Sequence, residues 1–104
     1  MAGSHKLRVK LDGEGALVKM LLRHPMETGA RKDPGSGELI PRNFIQELRC
    51  ERNAETVLSA NWGWGISKNP FLSFRLRQAR AGDRVRVSWK DNLGKEDSVE
   101  TQVK

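Results

Sequence analysis

The chain has 104 residues, enough for one domain and a single modest core. Its 19 Lys and Arg against 13 Asp and Glu leave a net charge of +6, which favours anionic partners. Its one cysteine, Cys50, excludes an internal disulfide and any multi-cysteine metal site.

No run of residues reaches the length of a membrane-spanning helix, and the start lacks the apolar stretch of a signal peptide. Met1–His5 reads as a cloning remnant, set apart from a single domain over 6–104. From there the residues alternate apolar and polar in short runs broken by turn signals, the pattern of an all-β sandwich. Leu7, Val9 and Leu11 alternate up to the Asp12-Gly13 turn. Ala16, Val18, Met20 and Leu22 follow as the inner face of a second strand, which Pro25 stops because proline cannot donate to a ladder.

The segment His24–Pro41 then interrupts the pattern, with three of the four prolines of the chain. Connections this long are uncommon in small domains and are usually functional or disordered. Asp33-Pro34-Gly35-Ser36-Gly37 is a tight-turn signal: Asp bonds its own backbone, Pro presets φ and Gly accepts positive φ. Arg31-Lys32 and Leu39-Ile40 can pair across it as the legs of a small β-arm; a solvated insertion is the alternative. Within it, Arg31 and Asp33 are expected to form a local ion pair.

Phe44–Glu51 predicts a third strand, with Phe44, Leu48 and Cys50 on one parity and Cys50 therefore a buried, inert thiol. Arg52–Glu55 turns the chain into a fourth strand, Thr56–Trp62, before the flexible Gly63-Trp64-Gly65. Phe71–Arg77 places Leu72, Phe74 and Leu76 on one face, and Val85, Val87 and Trp89 point inward on the next strand. Asp91-Asn92-Leu93-Gly94 is a hairpin loop, and Val99, Thr101 and Val103 close a set of about seven strands. The arginines from Arg75 to Arg86 fall mostly at alternate positions, as on a solvated sheet face.

Chemistry-bearing motifs are scarce. There is no GxSxG elbow, P-loop, metal-spaced histidine set or triad, so neither catalysis nor a cofactor is expected. His24, before Pro25, reads as a hydrogen-bonded structural histidine in extended backbone, and Asn69 before Pro70 as turn chemistry leading into the Phe71 strand. The net charge and three tryptophans also allow a small basic β-barrel that stacks nucleic-acid bases on exposed aromatics. Trp89 alternates with core valines and Trp62 ends a strand, which leaves only Trp64 available for that role.

Three clusters taken together resemble one family. They are His24-Pro25-Met26-Glu27-Thr28-Gly29 with Arg31-Lys32-Asp33, Ile40-Pro41 with Phe44-Ile45, and Ser67-Lys68-Asn69-Pro70-Phe71-Leu72-Ser73-Phe74. Trp89–Gly94 agrees with them. The stretch from about Leu17 to Gly94 is similar to the SoxZ family, small subunits of the SoxYZ carrier complexes of bacterial sulfur oxidation.

The resemblance implies an immunoglobulin-like β-sandwich and a heterodimer with SoxY. SoxY holds sulfur intermediates of thiosulfate or sulfide oxidation on a cysteine near the end of a flexible arm, while other Sox enzymes process them. It further implies a non-catalytic scaffold role and a periplasmic location, reached by export with a signal-bearing SoxY. No nucleic-acid or membrane partner is implied, and self-association of the isolated chain stays open.

Large apolar groups in or beside loops usually mark interfaces. Met26, Ile40, Trp64 and Phe71 are therefore candidate contacts for SoxY, with Asn69 beside them. Arg31, Lys32 and Lys68 are candidates for the neighbourhood of the partner thiol and its anionic cargo. For Trp64 and Phe71 the competing expectation is that they fold back onto the end of the core.

Overall fold

The computed structural model describes residues 5–103. Seven strands follow the order β1 (Lys6–Asp12), β2 (Gly15–Leu21), β3 (Ile45–Arg52), β4 (Glu55–Asn61), β5 (Phe71–Arg77), β6 (Arg84–Asp91) and β7 (Glu96–Gln102). They form two antiparallel sheets, β1-β2-β5 and β4-β3-β6-β7, which makes the domain an all-β sandwich of the immunoglobulin-like kind. The sheets are separate and do not close into a barrel, so the barrel that a nucleic-acid reading requires is absent among the described residues.

The two-residue period of the sequence sets the inner faces. Val18 and Met20 from β2, and Val85, Val87 and Trp89 from β6, are all buried. Each aliphatic side chain taken out of water there contributes about 2 kcal/mol. Strand β3 departs from strict alternation. Its register against β6 shifts between Ile45 and Glu47, and this bulge lets both Ile45 and Leu48 reach the core. Phe44, expected inside the strand, is buried just before it begins.

The turns follow their residues. Gly94 closes the β6–β7 loop at φ 85°. The two-residue β3–β4 loop takes Asn53 and Ala54 to φ 50° and 71°, the mirror-image turn that matches strand twist. Asn53 suits that conformation and bonds outward, donating to Asp83 Oδ1 and accepting from the Arg84 N–H. Ala54 has no such compensation. No helix among the described residues is long and apolar enough to cross a membrane.

Candidate partner-binding surface

The long connection between β2 and β3 is an ordered arm. At its base Glu27 and Asn43 exchange both backbone hydrogen bonds, and further out Lys32 pairs with Leu39. The Ile40 N–H donates to the Arg31 carbonyl at 2.8 Å, and the Asp33 N–H to the Glu38 carbonyl at 2.8 Å. Arg31-Lys32 and Leu39-Ile40 are thus the two legs, as the turn residues between them suggest. At the tip, Asp33 Oδ1 accepts the Gly35 N–H and Oδ2 accepts the Ser36 hydroxyl.

Those bonds occupy Asp33, so Arg31 finds a different carboxylate. Its guanidinium meets Glu27 through two hydrogen bonds, Nε to Oε1 at 3.1 Å and Nη2 to Oε2. The expected Arg31–Asp33 pair is replaced by this bidentate contact, which holds the Glu27 carboxyl below its ordinary range. The Lys68 ammonium also acts on Glu27 from the neighbouring loop. Lys32 is exposed and makes no ion pair among the described residues.

The arm base and the 67–71 segment are stitched together. The Asn69 N–H donates to the His24 carbonyl, Asn69 Oδ1 accepts the His24 N–H, and the Leu22 N–H donates to the Pro70 carbonyl. Asn69 adopts φ 50°, a conformation asparagine tolerates, and in it fixes the lead-in to β5.

A second anchor is buried. His24 Nδ1 accepts the Met26 N–H, so the ring proton sits on Nε2 and is donated to Asp91 Oδ2 at 3.1 Å. Asp91 Oδ1 accepts the N–H groups of Leu93 and Lys95, joining the arm to the β6–β7 loop. Trp89 lies edge-on to the His24 ring at 5.0 Å and to the His5 ring at 5.8 Å.

His5, set aside in the sequence with the first residues, belongs to this cluster. Its Nδ1 accepts the Arg23 N–H, and its Nε2 lies 3.1 Å from Asp97 Oδ2. Burial holds its pKa below the ordinary histidine value against the opposing pull of Asp97.

The candidate contacts divide. Trp64 is 47% exposed and Phe71 63%, so neither folds back fully into the core. Trp64 stands edge-on to Phe44, and the Arg42 guanidinium lies 4.1 Å over its ring. Arg42 also donates to the Thr28 carbonyl, which makes it a bridge between arm and loop that no spacing in the sequence points to.

Ile40 is half-buried on the arm. Met26 is the exception. It is 5% exposed, sits at φ 49°, and its Sδ accepts the Ile45 N–H at 3.3 Å, so its side chain belongs to the core and is not offered to a partner.

Cys50 lies mid-strand on β3, fully buried, and burial pushes its thiol up to about 11. As the single cysteine of the chain it offers no accessible thiolate for covalent chemistry. The family model described as sulphur oxidation protein SoxZ matches residues 5–102. The chain belongs to the SoxZ family. The match spans nearly the whole of it and includes His5 and the β6–β7 loop along with the arm. Membership ties this SoxZ-family chain to sulfur oxidation and to the Sox system. A search of curated proteins finds no match.

Proposed function

We propose that this chain is the non-catalytic supporting subunit of a periplasmic SoxYZ heterodimer. In this reading sulfur intermediates ride on a cysteine of the SoxY partner while other Sox enzymes act on them. The observation that carries it is the state of Cys50. A SoxZ-family chain whose lone thiol is sealed in the core, with its pKa near 11, leaves the covalent work to another molecule.

The surface best suited to SoxY is the arm together with the 64–71 segment, where Trp64, Phe71 and half-buried Ile40 are displayed on a scaffold fixed by Asn69 and Arg42. Lys32 and Lys68 are the cations there that stand nearest to being available for an anionic cargo. Arg31 serves the arm through Glu27 instead.

The test is co-purification with a SoxY subunit, turnover with thiosulfate, and mass spectrometry of both chains. Sulfur adducts are expected on SoxY alone. Persistent adducts on Cys50, or full oxidation with SoxY lacking its terminal thiol, would overturn the reading. Trp64→Ala and Phe71→Ala are each expected to weaken the heterodimer by more than about 1 kcal/mol.

A further inference from the structure

The sandwich is closed along one long side and open along the other. Strand β1 approaches β7, whereas β4 and β5, the edge strands of the opposite side, barely touch. Burial records the difference. Leu58 and Ala60 of β4 and Leu72 and Phe74 of β5 pack against the core yet remain half-buried. Their neighbours one strand further in, such as Leu48 and Val18, are sealed.

Along this seam β5 has a free edge. The Leu22 N–H donates to the Pro70 carbonyl, so residues 22 and 70 are a hydrogen-bonded pair of the β2–β5 ladder. Antiparallel alternation then places Met20–Leu72, Val18–Phe74 and Ala16–Leu76 in the same class. The backbone groups of Phe71, Ser73, Arg75 and Arg77 therefore point away from β2. The Arg77 carbonyl agrees with this, since the Arg52 guanidinium donates to it from β3 at 2.8 Å. Among the described residues no backbone partner meets Phe71, Ser73 or Arg75 on that side.

The two edges of the closed side carry charges that deter strand addition. Strand β1 shows Lys6, Arg8 and Lys10 at exposed positions, and β7 shows Glu96 and Glu100. Strand β5 shows Phe71 and Ser73 at the start of its exposed positions and Arg75 and Arg77 beyond them, beside an open seam of half-buried apolar groups. Strand β4, the edge across that seam, has a single charge, Glu55, and no cation to recruit an acidic strand.

We propose that the free edge of β5 receives an extended strand of the partner subunit, added to the three-stranded sheet. Its inward side chains close the seam over Leu58, Leu72 and Phe74. The inference rests on the heterodimer reading above and names how the partner engages. Pairing from Phe71 to Arg75 needs about five residues, a span of roughly 13 Å. Inward positions are apolar, and outward positions are acidic to meet Arg75 and Arg77. Arg77 has no ion pair among the described residues, and Arg75 holds Asp12 only in an exposed one. A second copy of this chain would bring its own arginines to the edge where carboxylates fit.

Amide hydrogen exchange on the full chain, alone and in the purified heterodimer with its SoxY subunit, tests this. The amides of Phe71, Ser73 and Arg75 are expected to exchange freely in the isolated chain and to slow at least about tenfold in the complex. Those of Leu72 and Phe74, bonded to β2, are protected in both.

Ser73→Pro removes one outward donor without touching the β2 ladder, and is expected to weaken the heterodimer about tenfold with the melting temperature of the isolated chain unchanged. Ser73→Ala keeps the donor and the affinity. A heterodimer in which these three amides exchange as in the isolated chain overturns this inference and leaves the heterodimer standing. Failure to form any heterodimer overturns the reading beneath it as well. Protection that appears in the isolated chain as its concentration rises overturns the inference in favour of self-pairing.

Discussion

The Nε2–H of His24 reaches Asp91 Oδ2 at 3.1 Å, with both side chains sealed from solvent, and this bond joins the base of the arm to the loop between β6 and β7. Asp91 serves three donors at once, since its other oxygen holds the N–H groups of Leu93 and Lys95. Asp91→Ala strands all three, and the expected cost is about 3 kcal/mol in chemical denaturation. Asp91→Asn is no rescue. Its amide would set a donor against the Nε2–H, and the other tautomer would set Nδ1–H against the Met26 N–H. A stability loss of about 1–2 kcal/mol is expected for it.

His5 predicts how stability follows pH. Its folded pKa lies below the ordinary 6.5, with burial the largest cause. The unfolded chain therefore binds the proton first as pH falls. The stability contributed is fully present above about 6.5 and is lost as pH drops from there through the lower folded value. Melting temperature should decline from pH 7.5 to pH 5.5, and His5→Gln should flatten that decline. The carboxylates held low in the folded state, Asp97 and Asp83, add their own loss only below about pH 4.

Cys50 should be nearly inert. With its thiol at about 11, the thiolate fraction at pH 8 falls roughly a hundredfold or more below that of free cysteine. Alkylation by iodoacetamide should be correspondingly slow in the folded chain and become fast in denaturant. Cys50→Ala should cost about 1 kcal/mol of stability and leave heterodimer formation intact.

Ala54 sits at φ 71° in a turn that favours glycine. Ala54→Gly should relieve the left-handed strain and stabilise the chain by about 0.5–1 kcal/mol after the entropic cost of glycine. In a domain of this size that appears as a rise of about 2–8 °C in melting temperature.

Much of the sandwich is legible in the residues because a strand has only two faces to choose between. The runs Ala16–Leu22 and Val85–Trp89 show which is inside without further help. β3 resists because a bulge between Ile45 and Glu47 changes phase, and no residue there announces it. The arm is legible at its tip, where Asp33, Pro34 and Gly35 encode their own turn.

Its electrostatics are not legible. Asp33 is the nearer carboxylate to Arg31 in sequence, but the turn claims both of its oxygens and Glu27 takes its place. Met26 looks like a surface anchor by its motif, yet it sits in left-handed backbone with its side chain buried and its Sδ on the Ile45 N–H, a placement its neighbours in sequence do not announce. Asp91 stands 67 residues from His24, and His5 stands 92 from Asp97; only the folded topology unites such pairs.

The Asp33–Gly37 tip is held by its own side chains and backbone, with the Gly37 N–H on the Asp33 carbonyl and the Glu38 N–H on the Ser36 hydroxyl. Such a finger is already frozen before anything grasps it. A molecule that grips it forfeits little chain freedom on docking, so the strength of the grip goes into how long the two stay together.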